Sequence, residues 1–291
     1  MKVAIHGRKI NDDKLPSIKV LIDALNHRNA EVILSDIFYH SLNGHDLPLD
    51  NCSTYNSGEG APMVDFVISI GGDGTLLETV THVGKSQLPI LGINSGRLGF
   101  LATVPQESIL DAIDAIYREE FHYDYRSLIA LDLEPQLEDG LNYALNEFTV
   151  IKQDTSAMIV VHAHIDGMFL NSYWADGLII STPTGSTGYS LSCGGPVVAP
   201  HSNNFVITPV SPHNLTVRPL VVSENSVISL RVESRSENFL LSLDSRSYSM
   251  STSVDLVVRK SQFKIRLIKF SGNDFLNTLR QKLNWGLDVR N

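Results

Sequence analysis

The first 120 residues alternate between two kinds of apolar pattern. Val3-Ala4-Ile5 is a short β-rich run, and Ile18, Leu21, Ile22 and Leu25 then recur at helical spacing within residues 15–27. Residues 31–38 read as a second strand, whereas residues 43–62 are rich in Gly, Asn, Ser and Pro and read as a long surface loop. An apolar run over 64–70 stops at paired glycines, and Leu76, Leu77, Val80 and Val83 then form one helical face. Residues 88–93 repeat the strand pattern, and Ile109, Ala112, Ile113 and Ile116 mark a further helix. Strands alternating with helices predict an α/β domain, a parallel sheet with flanking helices.

The pattern changes near Phe121. From there to about Lys269, short runs rich in Val, Ile, Leu, Tyr and Phe are separated by Gly, Pro, Ser and Asn, as at 157–165, 178–181, 227–232 and 239–243. Such spacing predicts an all-β, sandwich-like domain. Helical spacing returns at Phe275, Leu276, Leu279 and Leu283. The expected domains are therefore residues 1–120, joined by 270–291, and residues 121–269.

Composition narrows the function classes. The net charge is −9, from 23 Lys and Arg against 32 Asp and Glu, and no basic run occurs. That argues against nucleic acid as the partner, because binding it requires clustered cations that displace counterions. No apolar stretch is long enough to cross a bilayer, and Met1 leads directly into a strand-like segment without a signal-peptide pattern. The expectation is a cytoplasmic protein that engages no membrane. Cys52 and Cys193 are the only cysteines, too few for a thiolate zinc site, and the ten histidines show no metal-ligand spacing. His162 and His164 are expected to be solvated on one strand face.

Two segments carry chemistry. Gly71-Gly72-Asp73-Gly74-Thr75 follows a strand and opens a helix. Glycines let backbone approach a phosphate, and helix N-terminal amides point at it. No Lys-Ser/Thr pair follows, so this is not a Walker A loop. Asp73 is repelled by phosphate. It suits proton abstraction from a hydroxyl or help in holding Mg²⁺, with capping of the next helix as the structural alternative. The second segment runs from Asp176 to Ser192 and contains Thr182-Pro183-Thr184-Gly185-Ser186-Thr187-Gly188-Tyr189-Ser190. Its small hydroxyls suit nucleotide edges, or else satisfy their own backbone. It lacks the Gly-x-Ser-x-Gly elbow of a serine hydrolase.

Together with residues 92–101, Asn146-Glu147 and the C-terminal Phe275 to Trp285 stretch, these motifs stand in the order and spacing of the NAD kinase family, which the chain resembles over residues 71–285. The resemblance implies phosphoryl transfer from ATP to the 2′-hydroxyl of the adenosine ribose of NAD, giving NADP. Asp73 then matches the general base. Asp73, Gly74, Asn146, Glu147, Asp176, Thr184, Thr187, Gly188, Tyr189, Ser190, Leu191 and Ser192 match NAD-binding positions, with Arg246 near another. Gly71, Gly72 and Thr75 line the phosphate side. It further implies a divalent cation, Mg²⁺, carried mainly by ATP, a final helix packed on the N-terminal domain, and a homodimer or homotetramer. Gly188, Trp174 and Glu78 depart from the residues commoner in that family, and Arg97 is a candidate for attracting phosphate or for a loop salt bridge. Diacylglycerol, sphingosine and sugar kinases share the glycine loop, and a non-catalytic dinucleotide sensor is a further alternative.

Overall fold

The structure is a computed structural model that describes residues 1–8, 11–96, 98–154, 157–272 and 274–285. The chain forms two compact units, residues 1–125 with 265–291 and residues 126–264. Among the described residues, no helix is long and apolar enough to cross a membrane.

The first unit begins β1 (Lys2–Gly7), α1 (Leu15–Asn26), β2 (Glu31–Ser35) and α2 (Asp36–Leu42). The expected strand over 31–38 thus stops early. Ser35 caps α2 by accepting from the Phe38 amide at 3.3 Å, so the apolar Ile37 and Phe38 belong to a helix. β3 (Cys52–Tyr55) lies within the predicted loop, its polar residues recruited as an edge strand beside β2. β4 (Phe66–Gly71), α3 (Asp73–Val83), β5 (Ile90–Asn94), β6 (Val104–Pro105) and α4 (Ile109–Tyr117) follow. The strands are parallel in the order β3-β2-β1-β4-β5. Apolar faces of α1 and α4 (Ile18, Leu21, Ile22, Ile109, Ile113) close on Val3, Ile5, Ile68 and Leu91 of the sheet. In such doubly wound sheets the carboxyl ends of the strands carry the binding loops, and the Gly71 turn stands at one of those ends.

β7 (His122–Asp132) leads into the second unit. There β8 (Tyr143–Ala144), β9 (Glu147–Lys152), β10 (Ile159–Ile165), β11 (Met168–Ala175), β12 (Gly177–Ser181), α5 (Tyr189–Ser192), β13 (Asn204–Val210), β14 (Leu220–Ser223), β15 (Ile228–Glu233), β16 (Asn238–Leu243) and β17 (Arg246–Ser251) build a sandwich. One layer is the antiparallel sheet β14-β13-β12-β9-β16-β17. The other contains β11-β10-β15, joined by the start of β18 (Leu256–Lys269). Alternate residues point inward, so Phe148, Leu178, Ile180, Phe205 and Phe239 from one layer bury against Val161, Tyr173, Leu230 and Val258 from the other.

The end of β18 belongs to the first unit, where Leu267 pairs in parallel with Ile90. α6 (Phe275–Leu283) is capped by Asp274, which accepts from the Asn277 amide at 2.7 Å. Phe275 and Lys282 of this helix meet the Phe100 ring at 6.1 and 5.2 Å, so the final helix packs on its own unit.

Candidate active site

β4 is buried along its length and delivers Gly71 to its carboxyl end. α3 starts at once, with Gly72 as its cap residue and no side chain capping it. Asp73 therefore does not cap its own helix. Its carboxylate reaches forward to the segment after β5, where Oδ2 accepts from the Phe100 amide at 2.8 Å and Oδ1 accepts from Leu101 and Ala102 at 3.0 and 3.1 Å. A carboxylate has about four lone-pair sites, and three amides occupy three of them. Among the described residues, no hydrogen bond takes the second site on Oδ2.

The segment over 94–103 is built to hold this arrangement. Asn94, 3% exposed at the end of β5, accepts from the Gly96 amide at 2.6 Å and donates to the Ala102 carbonyl at 3.3 Å. The Ser95 amide donates to Gly71 O at 3.1 Å, tying this segment to the glycine turn. Lys269, buried, donates to Leu101 O and Thr103 Oγ1 at 3.1 and 2.9 Å. Gly99 leaves room for this carboxylate: a Cβ there would stand 1.9 Å from Asp73 Oδ1, so the Asp73 side chain would have to shift.

The second unit gathers its own polar cluster around Asn146 and Glu147. Asp244, in the turn between β16 and β17, accepts from the Leu145, Asn146 and Glu147 amides at 2.8, 2.7 and 3.2 Å. This fixes the backbone just ahead of β9. The turn after β12 packs against it: the Thr182 amide donates to Asn146 O at 2.9 Å, and the Thr182 hydroxyl to Leu145 O at 2.6 Å. Contact at Gly185 is so close that a Cβ would fall 2.1 Å from Asn146 O. The Tyr189 amide donates to the Glu147 carboxyl group, yet burial and then the adjacent Asp244 push its pKa up to about 8. Asn146 Oδ1 and Glu147 Oε2 are buried without hydrogen-bond partners. Unpaired buried acceptors are uncommon and call for a ligand or ordered water.

The hydroxyls of the long motif are largely spent within the fold. Thr184 accepts from Arg126 at 3.1 Å, Ser186 donates to Pro183 O at 2.7 Å, and Ser190 pairs with Thr208 at 2.8 Å. Thr187 reaches back to Thr184 O at 3.4 Å. Gly188 precedes the single turn α5, which holds Tyr189, Ser190, Leu191 and Ser192, with Tyr189 40% exposed. Asp176 pairs with Lys152 at 2.7 Å between β11 and β12. Arg246 directs its guanidinium to the carbonyls of Leu141 and Tyr143 and lies over the Tyr143 ring. Trp174 is exposed. His162 is engaged rather than merely solvated, 2.8 Å from Ser172 and 3.1 Å from Glu233, while His164 meets the Phe169 ring. Arg97 lies outside the described residues.

Sequence reasoning overlooked Asp244 as the organiser of Asn146-Glu147; no local signal marks a partner 97–99 residues away. It also missed a polar group on α3. Glu78 and His82 meet His6 from β1, with Arg8 on the same Glu78 oxygen as His6. The His6 contact and then Arg8 hold the Glu78 carboxyl down to about 2, and burial pulls His82 down to about 4.

Comparison with known proteins places these features in a family. Residues 27–121 match the ATP-NAD kinase N-terminal domain, and residues 145–270 match the ATP-NAD kinase C-terminal domain. An NAD kinase of Cytophaga hutchinsonii is 47% identical, with 100% of both chains covered. One from Flavobacterium psychrophilum is 45% identical, again over 100% of both. Among solved structures, an NAD kinase from Archaeoglobus fulgidus in complex with ATP superposes with a TM-score of 0.72 at 26% identity, covering 98% of each chain. The fold is also that of yeast NADH kinase complexed with NADH, with a TM-score of 0.89 at 23% identity over 100% of this chain and 89% of that one. By both domain matches and by end-to-end identity to curated relatives, this chain belongs to the NAD kinase family.

Proposed function

We propose that the protein transfers the γ-phosphoryl group of ATP to the 2′-hydroxyl of the adenosine ribose of NAD, with Asp73 as the general base. The observation that carries this reading is the Asp73 carboxylate. Three backbone amides orient it, and the described residues leave one Oδ2 lone-pair site for a proton. A ribose hydroxyl is a weak nucleophile, and a fixed carboxylate within hydrogen-bond reach removes its proton as the bond to phosphorus forms. Gly71, Gly72 and Thr75 lie at the start of α3, where the Asp73 and Gly74 amides precede the first intrahelical bonds, those of Thr75 and Leu76 to Gly72 O, and suit phosphate oxygens. On the NAD side, Asn146 and Glu147 offer the unpaired buried atoms described above, and burial, then Asp244, push the Glu147 carboxyl up to about 8, toward the neutral form that donates to a ribose or amide oxygen. Gly74, Asp176, Thr184, Thr187, Gly188, Tyr189, Ser190, Leu191 and Ser192 complete the NAD contacts. Those of the buried hydroxyls Thr184 and Ser190 are made through the backbone. Arg246 acts by holding the 141–143 backbone.

The Asp73 carboxylate does not fit a resident metal, because amides fill most of its coordination capacity. The divalent cation, Mg²⁺, arrives on ATP and supplies neutralisation of phosphate charge. We place the enzyme in the cytoplasm as a homodimer or homotetramer, in keeping with the exposed Met168 and Phe169 on edge strand β11.

Purified protein incubated with NAD, ATP and Mg²⁺ should yield NADP. Failure to phosphorylate NAD, combined with phosphorylation of a lipid or sugar, or with NAD binding and no turnover, would reject the proposal. Light scattering coupled to gel filtration tests the oligomer.

A further inference from the structure

Away from Asp73, one polar cluster plays no part in the proposed reaction. His6 lies on β1, and Glu78 and His82 lie one helical turn apart on α3, so the two helical residues face the same strand. One ligand atom from each of the three residues lies within 4.8 Å of the others. His6 is fully buried, and its Nε2 has no hydrogen-bond partner. That nitrogen stands 3.4 Å from Glu78 Oε2. With metal–ligand bonds near 2.0–2.2 Å, two ligands of a tetrahedral Zn²⁺ are about 3.4 Å apart.

Both imidazoles are already oriented from behind. Ser35 Oγ is 2.9 Å from His6 Nδ1, and the Tyr55 hydroxyl is 2.9 Å from His82 Nδ1. Partners on the second ring nitrogen are what metal-ligating histidines have, since they fix the ring and free Nε2. We propose that His6, Glu78 and His82 form a binding site for a zinc-like divalent transition metal that clamps β1 to α3. Two imidazoles and one carboxylate favour such ions over Mg²⁺ or Ca²⁺, which prefer oxygen ligands. Solvent fills the fourth position. Arg8, whose side chain is 56% exposed, pairs with Glu78 in the metal-free protein and is displaced when the ion enters.

The test uses untagged full-length protein, stripped with chelator and dialysed. Co²⁺ titration followed by visible absorption should show one equivalent bound per chain with the intense ligand-field bands of a four- or five-coordinate site, and Zn²⁺ should displace it. Glu78→Gln should weaken Co²⁺ binding by more than about 100-fold, beyond the effect of losing an outer-shell partner. Arg8→Ala removes a competing cation at an exposed position and should tighten binding by up to about fivefold, the worth of an exposed ion pair. No stoichiometric binding by wild type, or undiminished binding by Glu78→Gln, overturns the site. If Glu78→Gln does not fold, binding no tighter in Arg8→Ala than in wild type overturns it instead.

Discussion

Replacing Asp73 with Asn changes one atom of oxygen to an amino group, and the geometry sets what that costs. Whichever way the amide turns, it offers one acceptor oxygen to a cradle of three amide donors. With its oxygen at the Oδ1 position it keeps Leu101 and Ala102 and turns NH₂ against the Phe100 amide. Loss of one hydrogen bond to a charged group removes roughly 1.5–3 kcal/mol. The two retained bonds fall to neutral strength, and the favourable charge at the start of α3 goes, worth a further ~0.3–1 kcal/mol. A total near 3 kcal/mol should lower the Tm by roughly 5–10 °C. Turnover should fall by about 10²–10⁴, or ~3–5 kcal/mol of barrier, if Asp73 is the base. Thermal unfolding, NADP formation below the variant's Tm and calorimetric NAD binding separate the two effects. NAD binding is expected to persist. An unchanged Tm would refute the cradle, and near-normal turnover in folded protein would refute the base role.

Three further outcomes are expected. Gly99→Ala puts a Cβ 1.9 Å from Asp73 Oδ1, so the carboxylate must move; kcat should drop at least tenfold for a stability loss of ~1–3 kcal/mol, and an unchanged kcat would remove Asp73's position from the mechanism. Asp244→Asn leaves three amides of the 145–147 backbone sharing one acceptor, and should raise KM for NAD more than it lowers kcat, which steady-state kinetics will read. Glu147 has a folded pKa of about 8 against an ordinary 4.5, so between those values the folded chain keeps a proton that the unfolded chain has released. Its contribution is therefore fully present below about 4.5 and is lost as pH rises through 8, by up to ~5 kcal/mol. Denaturant titrations at several pH values should show a shallower fall in stability for Glu147→Gln, and equal slopes would count against the buried neutral carboxyl.

Much of the architecture is written in local pattern. Apolar spacing at Ile18 to Leu25 and at Ile109 to Ile116 identifies helices, and the glycines at 71–72 mark the turn between β4 and α3. These are decided by neighbours within a few residues, so they can be read along the chain. Residues 31–38 resist the same reading, because an apolar run fits strand and helix alike until the Ser35 cap separates them. β3 resists it for another reason: its polar residues form a strand through pairing with β2.

The site is divided in the same way. The residue types and order of the Asp73 and Thr184 motifs are legible, and so is their resemblance to a family. Which partners each side chain takes is decided by tertiary contacts. Asp73 turns away from its own helix because the amides of residues 100–102, 27–29 positions on, are brought to it by β5 beside β4. Ser186 and Ser190, which look like ligand hydroxyls in sequence, are absorbed by Pro183 and Thr208. Asp244 and the His6–Glu78–His82 group depend on residues that meet only after the sheets have formed. Periodicity and turn chemistry follow from short-range sterics, and a sequence states them directly. A carboxylate's partners follow from which distant backbone the fold places within 3 Å, and only the folded chain decides that.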